Sequence, residues 1–239
     1  LEPLLYSGTY GTVTPDVTLS TNLSVVSGEL IVTRPAGGSA AVTGVLTVNV
    51  SVGTESGSKD ITVTVLPYAT DLFISEYIEG SSNNKAVEIY NGTNAAVDLS
   101  TYVIEVYSNG ALTTGTPNYT FTLSGTLAAG DVYVIYNASS IPEIVAVGDV
   151  SNSITYYNGD DTIVLKNGTV IIDSIGQGNG TDPGTNWSAN GVATSEMTLV
   201  RISTILSGDT DPTDAYDPSV EWVAYAQNTV SYLGYHNVG

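Results

Sequence analysis

Cysteine is absent from this 239-residue chain, which excludes disulfides, thiolate metal sites and cysteine nucleophiles together. Cations are nearly absent too. Arg34, Lys59, Lys85, Lys166 and Arg201 stand against 24 acidic residues, a formal charge of −19. Such a surface repels phosphate backbones and anionic lipid heads alike, so direct nucleic-acid binding is not expected. No apolar run approaches the roughly 20 residues that cross a bilayer as a helix, so no membrane span is expected either. Leu1–Tyr6 lacks the charged and apolar regions of a signal peptide, and any such signal is expected to have been removed. Gly-x-Ser-x-Gly, His-Glu-x-x-His and phosphate-cradling glycine-rich loops are missing as well, which withdraws the usual support for hydrolase and nucleotide chemistry.

What is there is β-forming. The chain is rich in Thr, Ser, Val, Gly, Asn and Tyr, which suit strands and tight turns, while the surface-helix formers Lys, Arg and Gln are scarce. Scarce lysine, abundant Asn, Ser and Thr and a strand-only pattern point to an extracellular or cell-surface location. The acid surplus attracts divalent cations such as calcium; solubility alone would explain it equally well. Sequons at Asn22, Asn49, Asn91, Asn118, Asn137, Asn167, Asn179 and Asn186 mark segments that could sit at the surface of a glycosylated protein.

Residues 1–67 alternate apolar and polar positions, clearest in Val42–Val52 and Asp60–Leu66. Period-two runs of β-branched residues mark half-buried strands, and Gly53–Gly57 between them reads as a hairpin connection. Pro67–Thr70 reads as a linker, because proline ends the ladder. Beyond it, strands are expected at Leu72–Glu79, Lys85–Asn91, Tyr102–Tyr107, Tyr119–Leu123, Asp131–Tyr136, Asp161–Leu165, Val170–Ile175 and Thr198–Arg201. Asn-Gly pairs at Asn109, Asn158 and Asn167 supply the intervening turns. The expected fold is all-β: two immunoglobulin-like antiparallel β-sandwich domains in tandem, residues 1–67 and 68–239.

Ser27-Gly-Glu-Leu-Ile-Val-Thr-Arg-Pro35, Gly37-Gly-Ser39 and the closing Ile61-Thr-Val-Thr-Val-Leu-Pro67 resemble part of a bacterial immunoglobulin-like repeat that lacks its early strands. In the second segment, Ile74-Ser-Glu-Tyr-Ile-Glu79, Lys85-Ala-Val-Glu-Ile-Tyr-Asn91, Leu127–Ile135, Asn158-Gly-Asp-Asp161, Asp173-Ser-Ile-Gly176, Thr198–Arg201, Gly208–Asp211 and Asp217–Trp222 together resemble the lamin-tail domain of bacterial secreted proteins. That resemblance implies an immunoglobulin-like sandwich without catalytic residues, found beside secreted nucleases, phosphoesterases and cell-surface repeats as an adhesive or targeting unit.

Candidate sites follow from residue chemistry. Asp209, Asp211, Asp214, Asp217 and Glu221 crowd one segment, and Asp-x-Asp spacing lets carboxylates converge on calcium although the EF-hand glycine is missing. Asp160 and Asp161 either bind calcium or cap their turn. Glu76, Glu79, Lys85 and Glu88 flank a polar loop, and surface pairing with Lys85 and metal ligation both stay open. Trp187 and Trp222 suit a core or interface. His236, the lone histidine, has no partner acid or nucleophile in its segment, so no catalytic residue is assigned. Finally, a sandwich short of strands leaves unpaired backbone groups. The apolar terminal residues Leu4, Leu5 and Tyr6, or Tyr232, Leu233 and Tyr235, are candidates to pair with another copy.

The functional expectation is a non-catalytic extracellular structural or adhesive subunit that binds protein partners, including copies of itself, and builds a filament by β-strand addition. The alternative is an accessory targeting region of a larger secreted nuclease or phosphoesterase.

Overall fold

A computed structural model describes residues 23–26, 29–52 and 55–238, and the chain divides into two compact units, Leu1–Pro67 and Tyr68–Gly239. The candidate residues Leu4, Leu5 and Tyr6 lie outside the described residues. In the first unit, β1 (Leu23–Val26) pairs antiparallel with β2 (Glu29–Val32). Likewise β3 (Val42–Val52) pairs antiparallel with β4 (Glu55–Val65), from Val42 opposite Val65 to Val52 opposite Glu55. The Arg34 guanidinium ties the end of this unit by donating to the carbonyls of Leu66 (3.1 Å) and Pro67 (2.7 Å).

The second unit opens with β5 (Phe73–Glu79), β6 (Lys85–Tyr90), β7 (Val97–Asp98), β8 (Tyr102–Tyr107) and β9 (Tyr119–Thr122). β10 (Thr126–Leu127), β11 (Val132–Tyr136), helix α1 (Pro142–Val147), β12 (Val150–Ser151), β13 (Thr162–Asn167) and β14 (Val170–Ile175) follow. The short pair β15 (Ser188–Ala189) and β16 (Val192–Ala193) precedes β17 (Met197–Arg201) and β18 (Trp222–Ala226). Six strands form one sheet in the order β12-β11-β6-β5-β17-β18, and four form a second in the order β14-β13-β8-β9. Every pairing within them is antiparallel except that of β11 with β12.

Alternation explains how the two sheets meet. Ile74 and Tyr77 of β5, Val87 and Ile89 of β6, and Leu199 of β17 share one buried cluster with Ile104, Val106, Ile163, Leu165 and Ile175 of the four-stranded sheet. This is the core of a β-sandwich, and Trp222 sits in it. The other face of the six-stranded sheet is not left to water: Ile78, Ala86 and Val134 bury against Ile144 of α1 and Leu233. Among the described residues no helix is long and apolar enough to cross a membrane.

Candidate functional site

The second face of the six-stranded sheet carries the most unusual chemistry. In β5 the register slips between Ile74 and Glu76, and this bulge turns Glu76 to the face opposite the sandwich core, beside Glu88 of β6. Glu88 pairs across to Val134, Glu76 to Val200, and Val200 to Val223. One row of side chains therefore crosses five strands, with two glutamates at its centre.

The C-terminal segment lies over this row. Asn228 accepts from the Ser81 N–H (2.9 Å) and the Asn84 amide (3.0 Å) through Oδ1, and the Thr198 hydroxyl donates to the Thr229 carbonyl (2.9 Å). Leu233 is buried, and the N–H of Gly234, a residue with φ of 98°, donates to Glu88 Oε2 at 2.7 Å. Glu88 Oε1 accepts from Ser75 Oγ at 2.7 Å. Glu76, 1% exposed, has no hydrogen-bond partner on either carboxylate oxygen. Burial first, then the charge of Glu88, pushes the Glu76 carboxyl up to about 9. Burial likewise pushes Glu88 up to about 7, against the pull of its bonds from Ser75 and Gly234.

Val200 and Val223 floor a groove of about 260 Å³ whose walls include Tyr225, Tyr232, Tyr235, Ser203 and Asn237. Val200, in its floor, is the cross-strand partner of Glu76. The rings of Tyr225 and Tyr232 lie 4.3 Å apart at 35°. Tyr225 is pushed above the usual phenol range first by its hydrogen bond with Tyr232, and it also feels the charge of Glu76. His236 packs edge-on against Phe73 and Tyr90, with centroids 5.8 and 5.0 Å away. Burial, then the charge of Arg201, lowers His236 to about 4, and its Nε2 has no partner. At neutral pH it is an uncharged packing residue.

Tyr232, Leu233 and Tyr235, the expected donor residues, lie in this C-terminal segment. The segment is docked on its own unit through Leu233 and Gly234. Tyr235 remains 48% exposed at the groove rim.

The acidic segment is dispersed rather than gathered. Asp209 accepts from Ser174 Oγ (3.2 Å) and the Asp211 N–H (3.0 Å), and Asp211 accepts from the Thr213 hydroxyl (2.6 Å). Asp214 is exposed. Asp217 caps the short 3-10 turn Pro218–Val220 by accepting from Ser219 N, and Glu221 pairs with Arg201 at 3.0 Å. Asp161 accepts from Asn158 N (2.7 Å) and Asn109 N (3.0 Å), which is the turn-capping role; Asp160 keeps one buried oxygen without a partner. Among the described residues no three His, Asp or Glu side chains converge as a metal site. Lys85 pairs with Glu79 at 2.8 Å, but both side chains are 9% exposed, so this is an interior pair and not the surface contact expected. Of the sequons, Asn91 and Asn137 are buried, and Asn91 spends its amide on the carbonyls of Ala95, Leu127 and Ala128.

Sequence reading missed the hub at Arg201. Its guanidinium, fully buried, donates to Asp173 Oδ2 (2.6 Å) and the Ile74 carbonyl (2.6 Å) and lies 4.4 Å from the Trp222 ring centroid. Asp173 also accepts from the N–H groups of Ile74, Ser174 and Asp209. Gly208 makes the last bond feasible, since a Cβ there would fall 2.3 Å from Asp173 Cβ. The partners lie far apart in sequence, and the only available signal was the arginine within an apolar strand.

Residues 67–179 match the family model described as Lamin Tail Domain. No curated protein matches the chain. Among solved structures, a DUF4876 family protein from Bacteroides thetaiotaomicron is similar: 12% identical, with 96% of each chain covered and a TM-score of 0.47.

Proposed function

We propose, from the match of residues 67–179 to the Lamin Tail Domain model, that the chain is a non-catalytic extracellular structural or adhesive subunit. It pairs two immunoglobulin-like sandwiches in tandem and engages protein partners, copies of itself included. One observation carries this reading. All three Lys and Arg side chains of residues 68–238 are committed to ion pairs: Lys85 with Glu79, Lys166 with Glu105, and Arg201 with Asp173 and Glu221. The surface of this unit is therefore acidic without a basic face for phosphate, while tyrosines border its groove. Tyrosines with an apolar ring and a polar tip suit protein contacts.

The test has two arms. Hydrolysis of DNA, phosphoesters and glycosides by the purified chain should stay at buffer level. Beads coated with the chain should agglutinate, and soluble chain should suppress it. A turnover abolished by one substitution, or beads that stay dispersed, would overturn the reading.

A further inference from the structure

We propose that Glu76 and Glu88 together bind a divalent, oxygen-seeking cation on the second face of the six-stranded sheet. The two residues are cross-strand partners, 1% and 0% exposed, and project to the same face of the sheet. Two carboxylates cannot share such a site as anions without compensation. No side chain of this unit supplies it, because its lysines and arginine are each paired with other acids. Compensation comes from protons or from an added cation.

The hydrogen bonding favours the cation. Both oxygens of Glu76 lack any partner, whereas a protonated carboxyl would still need an acceptor for its O–H. A cation uses both oxygens at once. Glu88 is already oriented by the Gly234 N–H and Ser75 Oγ, as outer hydrogen bonds orient metal-bound carboxylates. Carboxylate oxygens completed by water are a donor set that suits calcium or magnesium and not soft metals. This inference is independent of the adhesive reading, since it concerns occupancy of the sheet face and not what the surface contacts.

Calcium is the probe. Millimolar calcium should raise the Tm of the full chain by about 5 °C over the same chain in chelator. Terbium excited through the neighbouring tyrosines should luminesce and be displaced by calcium. Glu76→Gln should abolish both responses, and Asp211→Asn in the acidic segment should keep both. No calcium response in the unmodified chain, a response that survives Glu76→Gln, or one lost in Asp211→Asn would overturn the proposal. Should Glu76→Gln fail to fold, absence of a calcium-displaceable terbium signal in the unmodified chain, or its loss in Asp211→Asn, overturns it.

Discussion

Between Asp209 and Glu221 the carboxylates are crowded in sequence, and three of them bond locally: Asp209, Asp211 and Asp217 each accept from an N–H two residues on, while Asp209 also accepts from Ser174 and Glu221 pairs with Arg201. Glu76 and Glu88 are separated in sequence and brought together by strand pairing, and one of them is left with no partner at all. The difference is physical. A loop lets a backbone turn toward its own acid, and exposed charges are screened by water. A strand spends its N–H groups on the ladder and holds its side chains perpendicular to it, so a buried acid must find a partner from elsewhere. Asp173 stands between the two cases: it is as buried as Glu76, but Arg201 and three N–H groups satisfy it.

The largest expected effect removes that satisfaction. Arg201→Met keeps much of the packing against Trp222 but leaves the buried Asp173 without its counter-ion, held by its three N–H donors alone. Breaking a buried pair from one side costs about 3–5 kcal/mol, which should appear as a lower urea midpoint with an unchanged slope. A loss below about 1 kcal/mol would mean that burial alone does not set the penalty, and the contrast with the acidic segment would collapse.

The next effect is a pH dependence. Burial raises Glu76 to about 9 from 4.5, so across that window the native chain holds a proton that the unfolded chain has released. Stability measured in chelator should therefore fall as pH rises through the window, by about 1.4 kcal/mol per pH unit for one such group. Glu88, raised to about 7, adds to the fall between its unfolded and folded values. Glu76→Gln carries no charge to desolvate and should flatten most of this slope, making the variant more stable than the parent at pH 8. Equal slopes in the two proteins would show that Glu76 is hydrated or partnered.

How much of this could be read beforehand depends on the range of the interaction. Tyr102–Tyr107 and Val170–Ile175 were legible as strands because alternation is local, and both match the structure residue for residue. β18 at Trp222–Ala226 was not, since a short apolar run after an acidic loop carries no turn signal of its own. The bulge beside Ser75 was also hidden: strict alternation would put Glu76 on the same face as Ile74, yet Ile74 enters the core and Glu76 does not share its cluster. Asp161 in its turn was half legible, with capping and calcium ligation both open, because both need the same residue at the same place. The Arg201 hub joins Ile74, Asp173 and Glu221 through pairings that no local pattern encodes.

The smallest effect separates capping from metal binding within the acidic segment itself. Asp217 Oδ1 accepts from Ser219 N at 2.9 Å and Ser219 Oγ at 2.7 Å, holding the 3-10 turn before β18. An asparagine offers the same carbonyl oxygen to those donors but removes the charge that a calcium ion would need. If Asp217 acts as a cap, Asp217→Ala should lower Tm by roughly 2–4 °C, whereas Asp217→Asn should leave it nearly unchanged in calcium and in chelator alike. The sequence-based expectation of a calcium loop gives a different pattern, in which both variants lose the same calcium-dependent increment and neither differs from the parent in chelator. Thermal melts of the three proteins in the two buffers tell these patterns apart. A calcium-specific loss in Asp217→Asn would move the cation from the sheet face to the loop.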